Sequence, residues 1–357
     1  MNNRVLVGLS GGIDSLVAVI RLKQSGYIPI GCTFDIQHSI SQPNTGNNID
    51  HAKQIAEKLR IEHHIIDISE EFDRHIVNYY IHEYIAGRTP NPCVKCNQII
   101  KWPLFFKQAD IYQCDYIATG HYAEITSIDG IPVIKKSIDE NKDQSFFLWA
   151  LTSLMLSKII FPLTGLTKEN IIQIAEKHGF GYMTNRQSTT GACFISNRDY
   201  RVILRQLCLK NKISIKKGIF ADLEGNWLGR HNGHPFYTIG QRHRLGINLN
   251  QPLFVQHIDP FSGIITLSDF NRLFKNSFHL SDYILHFPEI VQKKDVEIKI
   301  RYRGQFATGK IKIKDKYLKI ELSEPEWGIT PGQTVAIYSD KILIGGGYIS
   351  NDFETFF

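Results

Sequence analysis

A short apolar run near the start of the chain leads without a break into a turn with two adjacent glycines, and then into residues spaced as on a helix. Adjacent glycines let successive backbone N–H groups converge on one point, and a helix N-terminus adds unpaired donors and a partial positive charge. Nearby serines add hydroxyl donors. The segment therefore predicts a nest for a phosphate group. Its residues are Gly8, Leu9, Ser10, Gly11, Gly12, Ile13, Asp14 and Ser15.

Two common nucleotide sites are excluded by the same segment. No Gly-Lys-Ser/Thr sequence follows, as a P-loop requires, and the Gly-x-Gly-x-x-Gly pattern of dinucleotide sites is absent. A bare Gly-Gly turn with an Asp or Ser cap would be an ordinary tight connection. Ser-Gly-Gly-x-Asp-Ser between a strand and a helix is more specific and favours the phosphate site.

Strand-like and helical segments alternate over the first third of the chain. The strands are predicted at 4–9, 28–34, 63–68 and 116–119, and the helices at 14–24, 49–59, 71–84 and 97–107. Strands separated by helices imply right-handed crossovers and a parallel sheet. A hairpin with its turn at Asp129-Gly130 is predicted next. Further helices are predicted at 146–156, 168–178 and 199–207.

From about residue 210 short β-type runs recur between turn residues. These runs are 213–219, 235–239, 253–258, 264–267, 296–300, 309–313, 318–322, 334–339 and 342–344. They predict two small β-rich units, the second a barrel. We therefore expect three domains: a nucleotide-binding catalytic α/β domain at 1–209, a central basic β-rich domain at 210–277 and a C-terminal β-barrel domain at 278–357.

The net charge of +6 is unevenly distributed. Residues 208–277 contain nine basic and four acidic residues, whereas the segments on either side are nearly neutral. A basic segment of this kind indicates a surface for a polyanion such as nucleic acid, with a solvated basic face as the alternative.

The cysteine content points to a reducing compartment. Six cysteines are too few to crosslink 357 residues. The apolar start is too short for a signal peptide, and the apolar stretch 146–163 is interrupted by polar residues and a proline. We expect a cytoplasmic protein with no membrane partner.

Three cysteines have surroundings that suit chemistry. Cys93 and Cys96 follow a proline-rich loop, and Cys96 directly precedes a predicted helix, where Lys95 and Arg88 would help to lower its pKa. Cys193 is flanked by small residues, although a lone cysteine is more often a core residue. One Cys-x-x-Cys has too few ligands for a closed zinc site. An iron–sulfur cluster held by all three, or thiol chemistry, remains open.

The glycine-rich segment resembles the phosphate loop of the PP-loop ATP pyrophosphatases, which bind ATP on Ser-Gly-Gly-x-Asp-Ser and adenylate a carbonyl oxygen. The whole set of motifs resembles one family, the bacterial tRNA-specific 2-thiouridylases, over almost the full chain. The motifs lie at 8–15, 89–92 with Cys96, 118–123, 141–145, 190–194, 237–242, 301–303 and 331–333.

The resemblance implies an α/β PP-loop domain (adenine nucleotide α-hydrolase-like) followed by two β-rich domains. It also implies 2-thiolation of the wobble uridine in the tRNA anticodon loop, using ATP with Mg²⁺. ATP adenylates the uracil O2, and a protein donor, either a cysteine desulfurase or a relay protein, supplies sulfur as a persulfide. The products are 2-thiouridine, AMP and pyrophosphate. Cys96 matches the nucleophile and Cys193 the persulfide carrier, and the two would form a redox disulfide.

Binding residues follow from the same resemblance, and no resident metal site is implied. Phe34 and Gly120 would join the glycine-rich segment in binding ATP. Asn91, Pro92 and Cys93 would bind the target base. The residues expected to contact tRNA are His121, Lys142, Asp143, Gln144, Arg301, Tyr302 and Gln333.

One position departs from the family pattern. Cys93 stands where the family has Asp, so its role is open. The departure leaves room for iron–sulfur-dependent tRNA thiolation with Cys93, Cys96 and Cys193 as ligands. A PP-loop ligase that forms an amide is the other alternative, but it would not need Cys96 and Cys193.

Overall fold

The structure is a computed structural model that describes residues 3–41, 46–184, 192–195, 199–248 and 251–351. The chain divides into two compact units. The first contains Met1–Ile76, Cys93–Asn197 and Lys341–Ile344, and the second contains Val77–Pro92, Arg198–Asp340 and Gly345–Phe357. The expected boundaries of three domains stay a prediction.

A parallel sheet organises the first unit. The strands of this unit are β1 (Arg4–Gly8), β2 (Ile28–Asp35), β3 (His63–Asp67), β4 (Tyr116–Ala118), β5 (Glu124–Ile128), β6 (Ile131–Lys135) and β7 (Ile159–Ile160). Five of them form a sheet in the order β3-β2-β1-β4-β7, and its pairings are parallel. The predicted α/β fold with a parallel sheet is confirmed.

The position of β1 fixes where a ligand can bind. Val5, Leu6 and Val7 are fully buried, and β1 pairs with β2 on one side and β4 on the other. Strands β2 and β3 thus lie on one side of β1, and the next strand in the chain, β4, lies on the other. In open α/β sheets ligands bind at the carboxyl ends of the strands, where the strand order reverses in this way. The glycine-rich turn begins at that point, after Gly8.

Helices connect these strands and continue beyond them. The helices up to residue 177 are α1 (Ile13–Gln24), α2 (Gly46–Leu59), α3 (Ser69–Phe72), α4 (Asn78–Ile85), α5 (Pro92–Cys96), α6 (Trp102–Ile111), α7 (Ser153–Leu156) and α8 (Lys168–Lys177). Two π-helical segments, Asp73–Val77 and Asn97–Lys101, join neighbouring α-helices without a break. The helix predicted at 97–107 therefore begins earlier, at Pro92.

The first helix is held by its apolar face and its charges. Leu16, Val17 and Ile20 are buried in the core beneath the sheet. Asp14 lies in the first turn and basic residues lie in the last turn, which matches the sign of the helix dipole at both ends.

The hairpin predicted after β4 is confirmed. β5 and β6 pair antiparallel, and Asp129 and Gly130 have φ of +49° and +80°. This left-handed backbone at both turn positions is typical of a two-residue hairpin. Lys135 also pairs with Ile342, in the short C-terminal piece of the first unit.

The single helix predicted at 146–156 is wrong. Ser145–Phe147 forms a 3₁₀ turn, and α7 begins only at Ser153, where the Thr152 side chain caps it. The residues between are buried on every side, including Phe146, Leu148 and Trp149. Their apolar character reflects burial and not helical periodicity.

The second unit is mainly β-structure. It contains the helices α4, α9 (Tyr200–Lys210) and α10 (Pro288–Lys293). Its strands are β8 (Gly218–Ala221), β9 (Trp227–His231), β10 (Phe254–Asp259), β11 (Ile264–Ser268), β12 (Phe274–Leu285), β13 (Val296–Lys299), β14 (Phe306–Ile313), β15 (Leu318–Trp327), β16 (Thr334–Ser339) and β17 (Ile342–Ile349, whose first residues belong to the first unit).

These strands form a small sheet and a barrel. The sheet has the order β10-β11-β8-β9. The barrel has the order β12-β15-β14-β13-β16-β17, and β12 closes it by pairing with β17. The predicted C-terminal barrel is confirmed. In the parts of the chain that the structure describes, no helix is long and apolar enough to cross a membrane.

In the second unit, two β segments were predicted wrongly and two strands were missed. The run at 213–219 is a strand only from Gly218, and 235–239 overlaps a 3₁₀ turn, His234–Phe236. Pro235 cannot donate to a strand ladder, which suits a turn. The missed strands are β9 and β12. Asp282, with φ of +43°, interrupts the pairing of β12 with β17, so the strand lacks a regular alternation.

Closure of the barrel depends on a close approach of two backbones. A Cβ at Gly345 would lie 2.4 Å from the carbonyl oxygen of Ile284 on β12. We predict that Gly345→Ala lowers the free energy of unfolding by about 2 kcal/mol, because the two strands must move apart. Thermal unfolding measures this, with Gly181→Ala as the control, since its Cβ would meet only the Glu176 side chain at 3.7 Å. Equal melting of both variants would contradict the prediction.

Candidate active site

The glycine-rich turn is closed by its two serines and leaves its amides open. The Ser15 hydroxyl donates to the Gly12 carbonyl oxygen at 2.8 Å and accepts from the Ser10 N–H at 3.2 Å. Gly12 begins α1 without a side-chain cap. Within the described residues, the N–H groups of Gly11 and Gly12 make no hydrogen bond. Free amides at a helix start form an anion-binding nest.

Glycines are required here by space as well as by conformation. Gly11 has φ of +76°, and a Cβ on it would lie 2.2 Å from the Asn48 carbonyl oxygen. Gly120, which follows β4, packs against the start of α1: a Cβ there would lie 2.9 to 3.0 Å from backbone atoms of Asp14 and Ser15. Gly120 thus lines the turn, as expected from the sequence.

Asp14 is the carboxylate of the turn, and two side chains already hold it. Lys168 Nζ lies 2.5 Å from Asp14 Oδ1, and the Tyr122 hydroxyl donates to the same oxygen at 2.6 Å. Burial, together with the Asp14 charge, raises the pKa of Tyr122, so this hydroxyl stays protonated.

Sequence reasoning missed Lys168, although a signal was present. Thr167 and Asn170 form a capping box at the start of α8, so Lys168 lies in the first turn of that helix. A cation there opposes the helix dipole. A basic residue in an unfavourable place next to Asp14 suits a phosphate-binding role.

Phe34 lies at the end of β2 and is half-buried. Its ring packs against Phe105, with centroids 4.7 Å apart. Phe105 in turn occupies the space beside Gly8, where a Cβ would lie 2.7 Å from the ring. An aromatic surface beside the glycine-rich turn is compatible with the adenine contact expected of Phe34.

The structure groups Cys93, Cys96 and Cys193 in one electrostatic cluster. The charges of Cys93 and Cys193 both act on Cys96, and Cys193 acts on Cys93. None of these three described cysteines forms a disulfide, and Cys93 and Cys96 are half-buried whereas Cys193 is exposed. Thr190 and Gly191 of the same motif lie outside the described residues.

The expected lowering of the Cys96 pKa is wrong. Burial raises the pKa of Cys96 to about 12 and that of Cys93 to about 11. Cys96 ends α5 and continues into a π-helix, so it does not lie at a helix start. Glu83 pairs with Arg88, so this guanidinium is already neutralised. Cys193 reaches solvent on one side, and the protein packed around the rest of its thiol raises its pKa too.

The cation that does act on the thiols is Lys101, which sequence reasoning also missed. Its positive charge opposes the effect of burial on Cys93, Cys96 and Cys193. Lys101 also lowers the pKa of His121, which burial already holds well below its usual value. His121 is therefore neutral. Its ring stacks on Trp102 with centroids 5.9 Å apart, and its Nδ1 lies 2.7 Å from the Thr119 hydroxyl.

Asn91 and Pro92, expected to contact the target base, belong to the second unit. The loop before them is held by Gln333, whose amide Nε2 donates to the carbonyl oxygens of Thr89 at 3.0 Å and Pro90 at 3.2 Å. The Thr89 N–H also donates to the Pro331 carbonyl at 2.8 Å. Gln333 thus shapes this loop, and its contact with tRNA stays a prediction.

The side chains of Asp143 and Gln144 are used within the fold. The buried Asp143 carboxylate accepts hydrogen bonds from the Ser137 N–H at 2.9 Å and the Ser145 hydroxyl at 2.7 Å. The Gln144 Oε1 accepts from the Tyr122 N–H at 3.0 Å. Lys142 is half-buried. The predicted tRNA contacts of these three residues are untested.

Arg301 and Tyr302 lie in the second unit and are half-buried. The Arg301 guanidinium stands 4.3 Å from the centroid of the Trp327 ring. Lys299 Nζ lies 5.9 Å from the Tyr302 ring. Cations held over aromatic rings at a surface suit contacts with phosphates and bases.

The basic segment at 208–277 exposes its charge. All nine basic residues are exposed: Lys210, Lys212, Lys216, Lys217, Arg230, Arg242, Arg244, Arg272 and Lys275. Three of the four acidic residues accept hydrogen bonds from backbone N–H groups in local turns: Asp222, Asp259 and Asp269. The segment thus presents a positive face.

Comparison with known proteins agrees with this geometry. A family model described as the tRNA methyl transferase HUP domain matches residues 3–197, a PRC-barrel domain model of the same name matches 206–269, and an aminomethyltransferase β-barrel domain model matches 276–349. The tRNA-specific 2-thiouridylase MnmA 2 of Phocaeicola vulgatus is 39% identical over 350 residues, covering 98% of each chain. The corresponding protein of Cytophaga hutchinsonii is 38% identical, also covering 98% of each chain.

The chain belongs to the tRNA-specific 2-thiouridylase family. It is accordingly a tRNA-uridine 2-sulfurtransferase, and its first domain is of the ATP-binding PP-loop type. The descriptions of two domain models mention methyl transfer, whereas full-length relatives are named for thiolation. The resemblance stated from the motifs is confirmed.

An iron–sulfur cluster does not fit the residues that are described. Among them, no group of three or more His, Cys, Asp or Glu side chains is arranged to hold a metal ion. No chemical step is therefore derived through such a cluster.

The contact of Gly120 with α1 gives a test of the nucleotide loop. We predict that Gly120→Ala weakens ATP binding at least about tenfold, because its Cβ would displace the backbone of Asp14 and Ser15. Isothermal titration with ATP measures this, and Gly181→Ala again serves as control. Unchanged ATP affinity in a folded Gly120→Ala protein would contradict the assignment of the turn to ATP.

Proposed function

We propose that the enzyme adenylates O2 of the wobble uridine in tRNA and then replaces that oxygen with sulfur from a cysteine persulfide. The observation that carries the proposal is the open nest of amides at the switch point of the sheet, in the same unit as three clustered thiols. The uracil carbonyl is a poor site for displacement because oxide is a poor leaving group. Transfer of AMP to O2 makes it a good one.

The activation step is supported by the groups around the glycine-rich turn. Free N–H groups of the turn would bind the phosphates of ATP, and Lys168 would neutralise them. Pyrophosphate leaves as the uracil oxygen attacks the α-phosphorus. The Asp14 carboxylate would offer an oxygen ligand of the kind that Mg²⁺ prefers. Bound Mg²⁺ would neutralise charge on the departing pyrophosphate.

The sulfur then follows in two displacements. A protein donor, a cysteine desulfurase or a relay protein, first leaves a persulfide on Cys193. The terminal sulfur of this persulfide attacks C2 and expels AMP. C2 is then linked to Cys193 through a disulfide. The Cys96 thiolate attacks Cys193 Sγ, and 2-thiouridine leaves with the electron pair. The resulting Cys96–Cys193 disulfide is reset by an external dithiol, which is oxidised.

Cys193 is the better carrier and Cys96 the better resolving thiol. Cys193 is exposed, as loading by a second protein requires, whereas Cys96 is half-buried. The same sulfur could instead leave Cys193 as hydrosulfide when Cys96 attacks first. Both routes end in the same disulfide, so the roles of the two residues are unchanged. A reducing cytoplasm would suit this chemistry.

The tRNA would bind through the positive face of the second unit. The exposed lysine and arginine side chains of residues 208–277 and the stacked guanidinium of Arg301 would supply positive charge to bind phosphates. The target uridine lies in an anticodon loop, where extrusion of a base costs less than from a duplex. Asn91, Pro92 and Cys93 would then contact the extruded base.

The thiol assignment predicts a clear division among the cysteines. We expect Cys96→Ser and Cys193→Ser to lose thiolation by roughly a thousandfold or more, as the loss of an attacking group does. Cys93→Asp should stay active, because it restores the residue of the family pattern. Mass analysis of tRNA nucleosides after incubation with ATP and a persulfide donor measures the product. Cys114→Ser, a half-buried thiol outside the group formed by Cys93, Cys96 and Cys193, is the matched control.

Two outcomes would count against this division. An inactive Cys93→Asp enzyme would show that two thiols are insufficient. An active Cys193→Ser enzyme would show that the persulfide is carried elsewhere. AMP formation, measured in the same reactions, separates a failure of adenylation from a failure of sulfur transfer.

The charged face predicts salt-dependent tRNA binding. We expect affinity to fall steeply between about 50 and 200 mM salt, because each phosphate contact releases a counterion. Lys216→Glu and Arg303→Glu should each reduce the slope of log K against log salt by about one. Filter binding measures this, with Lys177→Glu on α8 as the control. A slope near zero, or an equal effect of Lys177→Glu, would contradict the assigned face.

A further inference from the structure

The helix that carries Cys93 and Cys96 changes its winding directly after Cys96. α5 ends at Cys96, the π-helical turn Asn97–Lys101 follows, and α6 begins at Trp102. In an α-helix, residues five apart point about 140° away from each other. A π-turn pairs residue i with residue i+5, so such residues lie above one another. The turn therefore brings Lys101 onto the side of the helix that carries Cys96.

Two buried polar side-chain atoms at the ends of the π-turn lack hydrogen-bond partners among the described residues, which lowers the stability of the fold. Asn97 and Trp102, which bracket the turn, are 6% and 1% exposed. The Asn97 Oδ1 and the Trp102 Nε1 have no hydrogen-bond partner in the part of the chain that the structure describes. Each such group costs about 1 to 3 kcal/mol. Isolated π-turns inside α-helices occur frequently at functional sites.

The positive charge of Lys101 acts on groups from three parts of the first unit. Cys93 and Cys96 come from its own helix, Cys193 from the segment 192–195, and His121 from the end of β4. His121 is neutral and carries no compensating charge. The structure describes no carboxylate paired with Lys101. The ammonium therefore faces thiols and a neutral ring.

We propose that Lys101 is a positioning residue that stabilises the anionic sulfur of Cys96 and of the Cys193 persulfide. Every displacement in the proposed sulfur transfer begins from an anionic sulfur, and burial opposes that charge. The ammonium offsets the cost without taking a proton or forming a bond. The inference rests on the proposed sulfur chemistry.

Lys101 also explains how a buried thiol can become reactive without a helix N-terminus. Burial alone would keep the thiols protonated at neutral pH. The π-turn places the Lys101 ammonium near the sulfur atoms that react, and this ammonium supplies the positive charge. Arginine would keep the charge, whereas methionine or glutamine would keep the stem and remove the charge.

The test measures thiol reactivity in the full-length protein without ATP or tRNA. Wild type, Lys101→Met and Lys101→Arg are alkylated with iodoacetamide from pH 6.5 to 10, and mass spectrometry gives the rate at each cysteine. We expect Lys101→Met to slow Cys96 and Cys193 about tenfold at pH 8, one unit of pKa. Lys101→Arg should stay within about threefold of wild type. Lys107→Met, exposed on α6, is the matched control.

Cys32 reports whether the fold of the first unit survives. It is buried on β2 in that unit, and burial raises its pKa to about 12. An unchanged Cys32 rate with slowed Cys96 and Cys193 supports the proposal. Unchanged Cys96 and Cys193 rates in Lys101→Met overturn it. If Lys101→Met exposes Cys32, Lys101→Gln replaces it, and a wild-type profile for that variant overturns the proposal equally.

The same variants separate this inference from the proposed function. Single-turnover formation of 2-thiouridine should shift to higher pH in Lys101→Met and recover in Lys101→Arg. If Cys193→Ser remains active while alkylation still depends on Lys101, the persulfide assignment fails but the electrostatic role stands. If both cysteines are essential and the alkylation rates ignore Lys101, the function stands and this inference fails.

Discussion

The burial of β1 between two parallel neighbours is the constraint on which the site depends. β1 is paired on both edges, and its central residues are fully buried, so the chain must leave its carboxyl end abruptly. The turn that follows has no room for side chains at Gly11, because Asn48 lies against it, and Gly120 is held against α1 in the same way. Among the described residues, the N–H groups of Gly11 and Gly12 in this turn make no hydrogen bond. The packing around β1 and the glycines of the turn therefore coincide with the proposed anion nest.

Much of the first unit could be predicted because its local signals agree with its packing. Strands β1 to β4 and helix α1 follow the periodicity of the sequence, and the Asp129-Gly130 turn follows from its residue types. The 146–156 segment failed because its apolar residues are buried on every side, so their spacing says nothing about a helix. The sequence did not predict β12 because this strand pairs with both β15 and β17 and its pairing is irregular at Asp282.

The candidate site divides in the same way. Motif residues such as Ser10, Asp14 and Cys96 are recognisable from local sequence, because they act through the chain around them. Lys168 and Lys101 act on residues that the fold brings near, one of them 154 positions away in sequence. The expected pKa of Cys96 was wrong because the helix was predicted to begin at Asn97. The helix begins at Pro92, so Cys96 lies in its interior and not at its start. Burial then decides the sign of the shift.

The ion pair between Asp14 and Lys168 has a consequence for how salt affects the binding of nucleotide and of RNA. In the structure the Lys168 ammonium and the Asp14 carboxylate neutralise each other. If phosphates bind at the turn as proposed, Lys168 would exchange one anionic partner for another, and few mobile ions would need to leave. The exposed lysine and arginine side chains of the second unit attract counterions, which a bound RNA would displace. One protein would thus hold its two substrates by two kinds of electrostatics, one internal and insensitive to ionic strength, the other controlled by it.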